Sequence, residues 1–146
     1  MSSVPVFAEP EELRDLVLDT EKEPERDYAI IDVRDSDFKG GHIPGAKNVP
    51  ANQMYDKVGD LVREYADVPI VYFHCALSQV RGPKSARIYC ETRNNPETRS
   101  NLNIKTDQKV KIIRNGFEGW HAKYRKEEGL IKDYEKKIWE WAIEEQ

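Results

Sequence analysis

The feature that most constrains this chain is a short apolar run feeding a polar loop: Val68-Pro69-Ile70-Val71-Tyr72-Phe73, followed at once by His74-Cys75-Ala76-Leu77-Ser78-Gln79-Val80-Arg81-Gly82-Pro83. The run is rich in β-branched and aromatic residues and bounded by Pro69 and by polar residues, which reads as a buried strand. Gly82 permits a turn, Pro83 is tolerated in a first helical turn, and Lys84-Ser85-Ala86-Arg87-Ile88-Tyr89 continues with helix-compatible residues. Strand, loop and helix in that order put Cys75 at the carboxyl end of a strand. The loop over residues 76–81 then curls toward a helix N-terminus, whose unpaired N–H groups carry partial positive charge. The prediction is an anion site with a thiol in it.

Composition narrows what surrounds that site. With 146 residues and 38% hydrophobic content, the chain suits one domain with its own core, taken as residues 1–146. Twenty-three basic residues are scattered among 27 acidic ones for a net charge of −4, so no basic face for a nucleic acid is expected. No run approaches the roughly 18 apolar residues of a membrane span, and the N-terminus has neither a basic nor an apolar leader region. A cytoplasmic or nuclear location is expected. Cys75 and Cys90, fifteen residues apart, suggest no structural disulfide, and no metal-ligand spacing with His42, His74 or His121 is apparent.

In chain order, Val4-Pro5-Val6-Phe7 is a short strand, and a helix opens at Glu9-Pro10 with Leu13, Leu16 and Val17 on one face. A charged, Pro-broken stretch precedes the apolar run Tyr28-Ala29-Ile30-Ile31-Asp32-Val33, which suggests a central parallel strand. Gly40-Gly41 and Pro44-Gly45 punctuate the next connection before a short strand over residues 46–49. Tyr55, Val58, Leu61, Val62 and Tyr65 then repeat at helical spacing. Residues 94–107 read as a polar loop, residues 109–114 as a strand, and Asn115-Gly116 as a turn into a helix carrying Phe117 and Trp120. A last amphipathic helix over about 130–143 presents Tyr134, Ile138, Trp139 and Trp141 to the body, the tryptophans as packing residues. Strands alternating with helices predict an α/β domain with a mostly parallel sheet, whose ligands bind beyond the strands' carboxyl ends.

A cysteine is a nucleophile only as the thiolate, which a helix N-terminus and a neighbouring guanidinium favour. Arg81, six positions after Cys75, can return across a curled loop and offer a planar fork of donors to two oxygens of a tetrahedral oxyanion. The N–H groups of Ala76, Leu77, Ser78, Gln79 and Val80 serve the remaining oxygens, and Ser78 can hydrogen-bond the sulfur or help the leaving group. Attack on phosphorus gives a covalent thiophosphate that water then hydrolyses. Cys90 shares a helix face with Ala86 and reads as a small core residue rather than a resolving thiol. His74 either tunes the nucleophile or is a packed, hydrogen-bonded imidazole.

The motif set resembles the rhodanese-homology fold. It comprises His74-Cys75 through Arg81-Gly82-Pro83, Ile31-Asp32-Val33-Arg34, Gly40-Gly41-His42-Ile43-Pro44-Gly45-Ala46, and Gly116-Phe117 with Trp120. Within that fold it is similar to the branch holding the cell-division-cycle dual-specificity phosphatases and the eukaryotic arsenate reductases, over about residues 6–125. The resemblance implies a three-layer α/β domain, a central mostly parallel sheet flanked by helices, with Cys75 as nucleophile and residues 76–81 as the oxyanion cradle. Asp32, Arg34, His42, His74 and Gly82 would support the site. Sulfurtransferases of this fold typically have a loop one residue shorter, so this loop is similar to those that admit phosphate or arsenate.

Three departures qualify that implication. The cell-cycle phosphatases carry a carboxylate directly after the cysteine and another just before the arginine, where this chain has Ala76 and Val80. Their protective second cysteine corresponds here to Val33. A general acid must then come from Asp35, Asp37, Glu118 or the substrate's own proton. The expected activity is a cysteine-dependent phosphatase acting on phosphate monoesters, of the phosphotyrosine or dual-specificity type. No cofactor is expected, and the partner is a phosphorylated substrate or small oxyanion. The alternatives are arsenate reduction with glutathione or glutaredoxin as co-substrate, thiosulfate sulfur transfer, and a non-catalytic phospho-binding module.

Overall fold

The apolar runs of the sequence become the strands of one parallel sheet. A computed structural model describes residues 4–144. Residues 1–3 and 145–146, which the reading of 1–146 as one domain and of a leader-free N-terminus includes, lie outside the described residues. The strands are β1 (Val6–Ala8), β2 (Ala29–Asp32), β3 (Lys47–Asn48), β4 (Ile70–His74) and β5 (Lys109–Ile113), in the order β1-β5-β4-β2-β3. All the pairings among them are parallel.

Alternation along the strands divides the core in two. Ile31, Phe73 and Ile112 face α2 (Met54–Glu64) and α3 (Arg81–Asn94), where Leu61, Val62, Ala86 and Tyr89 are buried. Ile30 and Tyr72 face the opposite layer, formed by Leu13 of α1 (Pro10–Leu18), Phe117 and Trp120 of α5 (Gly116–Tyr124), and Leu130 and Trp139. Strands buried on both faces read as continuous apolar runs because each neighbouring residue meets a different helical layer. Each large side chain so buried contributes about 1.5–3 kcal/mol.

Strand order also decides where a ligand can sit. The connection leaving β2 runs to β3 on one side, and the connection leaving β4 passes through α3 to β5 on the other. The two therefore diverge and leave a crevice between the carboxyl ends of β2 and β4, the switch point at which α/β sheets bind ligands. The register places Asp32 beside His74, and Val33 N–H donates to His74 O at 2.9 Å. Two sequence motifs 42 positions apart (Asp32 and His74) thus end side by side.

Two stretches differ from the sequence reading. Residues 94–107 contain a short helix, α4 (Pro96–Asn101), capped by Asn95, whose side-chain oxygen accepts from Glu97 N–H and Thr98 N–H. An N-cap Asn before a proline at the first helical position starts a helix even where no apolar stripe marks it. The stretch expected as a helix over 130–143 instead begins as an irregular segment, with Asp133 at φ of +55°, that bridges to His42 at Lys132. It then forms a 3-10 turn, Lys136–Trp139, and the short helix α6 (Glu140–Glu144). Its aromatic residues anchor it individually: His121 meets the Tyr134 hydroxyl at 2.8 Å and stacks on Trp139 at 4.1 Å. Trp120 and Trp139 pack in the core as expected, whereas Trp141 is 53% and Ile138 42% exposed. No helix among the described residues is long and apolar enough to cross a membrane.

Candidate active site

Cys75 follows the last residue of β4 and is buried, 3% exposed. Its Sγ accepts from Ser78 N–H at 3.2 Å and from Gly82 N–H at 3.3 Å. The second donor belongs to the first turn of α3, whose N-cap Val80 supplies no side-chain acceptor, so the helix end turns an unpaired N–H on the sulfur. Two donors of this kind solvate a thiolate without water. The Ser78 contribution differs from the sequence reading: the backbone rather than the hydroxyl reaches the sulfur, and Ser78 Oγ is buried without a partner among the described residues. Ser78 adopts φ of +56°, a left-handed turn that lets the loop curl so tightly.

The other side of the loop is fixed by α5. Phe117 N–H donates to Cys75 O and Glu118 N–H to Ala76 O, both at 2.9 Å. The helix therefore takes the loop's first two carbonyls, and the Asn115-Gly116 turn brings it that close. Gly116 has φ of +57°, and a Cβ there would stand 2.4 Å from Ala76 O, so only glycine fits. The sequence reading recognised this turn but not its role in holding the loop. Gly82 is a second close approach, with its Cβ position 3.4 Å from Cys75 N and the His74 Cα.

Arg81 stands at the rim of a hollow of about 180 Å3 that Cys75, Ala76, Leu77, Gln79 and Val80 also line. Leu77 and Val80 are exposed, so the site is shallow. The Arg81 guanidinium is held by Asp37, Nη1 to Oδ1 at 3.2 Å and Nη2 to Oδ2 at 2.7 Å, with Asp35 Oδ2 3.8 Å away. Burial pushes the Asp37 carboxyl up, but the hydrogen bonds and charge of Arg81 outweigh it and hold it below the usual carboxylate range. This pairing was not foreseen from sequence, because the partners lie 44 positions apart. A second hollow of about 200 Å3 adjoins the loop at Ala76, walled by Phe117, Glu118, Ile138 and Trp141 with Asp37 at its edge.

Of Asp32, Arg34, His42 and His74, four of the residues expected to support the site, only Arg34 lines one of these hollows. Asp32 grips Arg34 through Nε at 3.0 Å and Nη2 at 2.7 Å, and Arg34 in turn donates to the carbonyls of Asp37 at 3.0 Å and Gly41 at 2.9 Å. The guanidinium also lies 4.2 Å from the Phe117 ring centroid. His74 is fully buried, and burial lowers its pKa, so the imidazole stays neutral, with Nε2 3.6 Å from Asp32 Oδ2. Its Nδ1 lies 3.1 Å from Cys75 O, and its Nε2 makes no hydrogen bond among the described residues. His42, also lowered by burial, stacks on Phe38 at 4.8 Å. None of these four touches the sulfur. Cys90 lies in the α2/α3 core with Ala86, and burial pushes its thiol up to about 12.

Known proteins resemble the chain in sequence and in fold. A dual specificity phosphatase of Schizosaccharomyces pombe, ibp1, is 32% identical over 86% of this chain and 95% of its own length. Among solved structures, the yeast protein tyrosine phosphatase Ygr203w, of the Rhodanese family, is 25% identical, covers 95% of this chain and 98% of its own, and has a TM-score of 0.71. The As-Sb reductase of Leishmania major is 26% identical over 87% of this chain and 84% of its own, with a TM-score of 0.64. The proteins it is similar to thus include both phosphatases and an As-Sb reductase, on the two sides of the alternative that the loop raised. The Rhodanese-like domain model matches residues 9–123, and the chain belongs to that family.

Proposed function

We propose that the chain is a cysteine-dependent phosphatase acting on phosphate monoesters. The observation that carries this reading is the placement of the Cys75 sulfur under two N–H donors at the base of a loop whose rim holds Arg81. Sγ attacks phosphorus, the S–P bond forms as the ester P–O bond breaks, and the leaving oxygen takes a proton from Asp35, from Glu118 or from the substrate's own phosphoryl hydroxyl. Arg81 and the loop N–H groups hold the non-bridging oxygens, where charge is stabilised at both steps. Water then attacks phosphorus, the S–P bond breaks, and inorganic phosphate leaves as the thiolate is restored. The chemistry needs a reduced Cys75, which suits the cytosol or nucleus.

The likeness to the As-Sb reductase supports arsenate reduction as the second reading. There, Cys75 would bond to arsenic, and the two electrons that take arsenate to arsenite would come from outside thiols of the glutathione or glutaredoxin class, which end as a disulfide. Cys90 does not supply them, being buried in the core with its thiol pushed up to about 12.

Hydrolysis of p-nitrophenyl phosphate, arsenate-dependent thiol oxidation and thiosulfate sulfur transfer, run side by side, separate the readings. Phosphate release with a phospho-enzyme burst on Cys75 is the expected result. Cys75→Ser should lose at least about 10^3-fold in kcat while still binding phosphate. Undiminished hydrolysis by that variant refutes the assignment, and thiol oxidation without phosphate release moves it to the reductase.

A further inference from the structure

The two arginines of the site are connected through the turn after β2. Asp32 fixes Arg34, and Arg34 Nη1 fixes the Asp37 carbonyl at 3.0 Å. The turn is closed locally by Asp35 N–H to Asp37 Oδ1 at 2.8 Å and Phe38 N–H to Asp35 O at 3.1 Å. Phe38 is held in turn by stacking on His42. The Asp37 carboxylate therefore projects from a braced turn, and it meets the Nη1–Nη2 edge of Arg81 with both oxygens. That leaves the Nε of Arg81 without a hydrogen bond among the described residues.

We propose that Asp37 is a positioning residue for Arg81: it clamps the outer edge of the guanidinium in the empty site, so that the Nε edge is already presented to an oxyanion. This rests on the reading of Arg81 as the oxyanion-binding arginine. A guanidinium has two edges able to make paired contacts, so one carboxylate and one oxyanion can share it. An arginine on a shallow rim otherwise has many rotamers, and ordering it on binding costs affinity, which prior anchoring removes. The same geometry explains why a carboxylate-free loop, with Ala76 and Val80 where the cell-cycle phosphatases have acids, still has an acid at its arginine. It also separates Asp37 from the proton-donor candidates, because a carboxyl kept ionised by Arg81 has no proton to give. Asp35 and Glu118 keep that possibility.

The test is calorimetric binding of inorganic phosphate in a Cys75→Ser background, so that it does not depend on turnover, with kcat/KM on p-nitrophenyl phosphate measured in parallel. Asp37→Ala should weaken phosphate about tenfold and lower kcat/KM by a similar factor, and Asp37→Glu should recover most of the loss. Arg81→Lys should weaken phosphate by tenfold or more, and adding Asp37→Ala to it should change affinity less than twofold. Melting temperatures confirm that each variant is folded. Three results overturn the inference: unchanged affinity in Asp37→Ala; tighter binding there, which would make the carboxylate a rival of the oxyanion; or a full tenfold loss in the Arg81→Lys background, which would show that Asp37 acts elsewhere. If Arg81→Lys alone leaves phosphate affinity intact, the reading of the loop falls first, and the inference with it.

Discussion

The molecule contains the same ion pair twice, in two settings. Arg34 and Asp32 are 1% and 0% exposed, whereas Arg81 and Asp37 are 31% and 41% exposed. In both, a carboxylate makes paired contacts with a guanidinium, at shortest distances of 2.7 Å. Burial makes the first pair structural. With no water to replace a lost partner, each charge depends on the other and on the carbonyls of Asp37 and Gly41. Partial exposure makes the second exchangeable, since water screens it, and in the proposal above an incoming anion shares its arginine. The buried framework pair and the pair proposed to work on an oxyanion thus differ in solvent access and in the guanidinium edge they use, Nε with Nη2 in Arg34 and Nη1 with Nη2 in Arg81.

The sharpest way to break this contrast is to remove a buried partner. Asp32→Ala strands the Arg34 guanidinium and should cost about 3–5 kcal/mol, read by urea denaturation. For a chain of this size that lowers Tm by about 10 °C or more. A loss below about 1 kcal/mol would show that water reaches the pair.

A second probe tests the buried polar framework by protonation. Burial, with the charge of Arg125 adding to it, lowers His121 from its usual 6.5 to about 4. Between those values the unfolded chain binds the proton and the folded chain does not, so stability is complete above pH 6.5 and falls as pH drops toward 4. This group should account for on the order of 2–3 kcal/mol of the loss. His74 and His42, also lowered by burial, act in the same direction. His121→Gln should therefore flatten the profile without abolishing it. A wild-type slope that is unchanged in the variant would mean that His121 is protonated in the folded state.

The smallest effect on stability belongs to the exposed pair. Arg81→Lys should change unfolding free energy by less than about 1 kcal/mol. The same substitution should lower kcat/KM on an aryl phosphate by about 10^2-fold or more, since an ammonium cannot make the paired contacts. A large stability loss with little loss of activity would reverse the roles assigned to the two pairs.

Much of the framework was legible because it is local. Asp32 and Arg34 are two positions apart on a strand end, the Cys75 loop lies between an apolar strand and a Gly-Pro helix start, and the Asn115-Gly116 turn announces α5. The C-terminal stretch differs from a helix for a physical reason: Tyr134, Ile138, Trp139 and Trp141 match helical spacing, yet Tyr134 and Trp139 both anchor on His121, Trp141 stays half-exposed, and Lys132 pairs with His42 instead. The helix α4 was missed because its signal is a cap rather than an apolar stripe.

By itself, the sequence determined the five strands and the helices α1, α2, α3 and α5 in their order, the thiol at a strand's carboxyl end, and an arginine close to it in the chain, because these depend on residues close in sequence. Only the tertiary structure decided which carboxylate meets that arginine, which helix holds the loop's carbonyls, and that the Ser78 backbone rather than its hydroxyl faces the sulfur. The first depends on β2 and β4 lying side by side in parallel, so that the turn over residues 35–38 and the loop over residues 76–81 leave the sheet at one crevice; the second depends on β5 pairing with β4 on its other side, which starts α5 beside the loop; the third depends on the curl of the loop itself. No local preference encodes the first two meetings; strand order does.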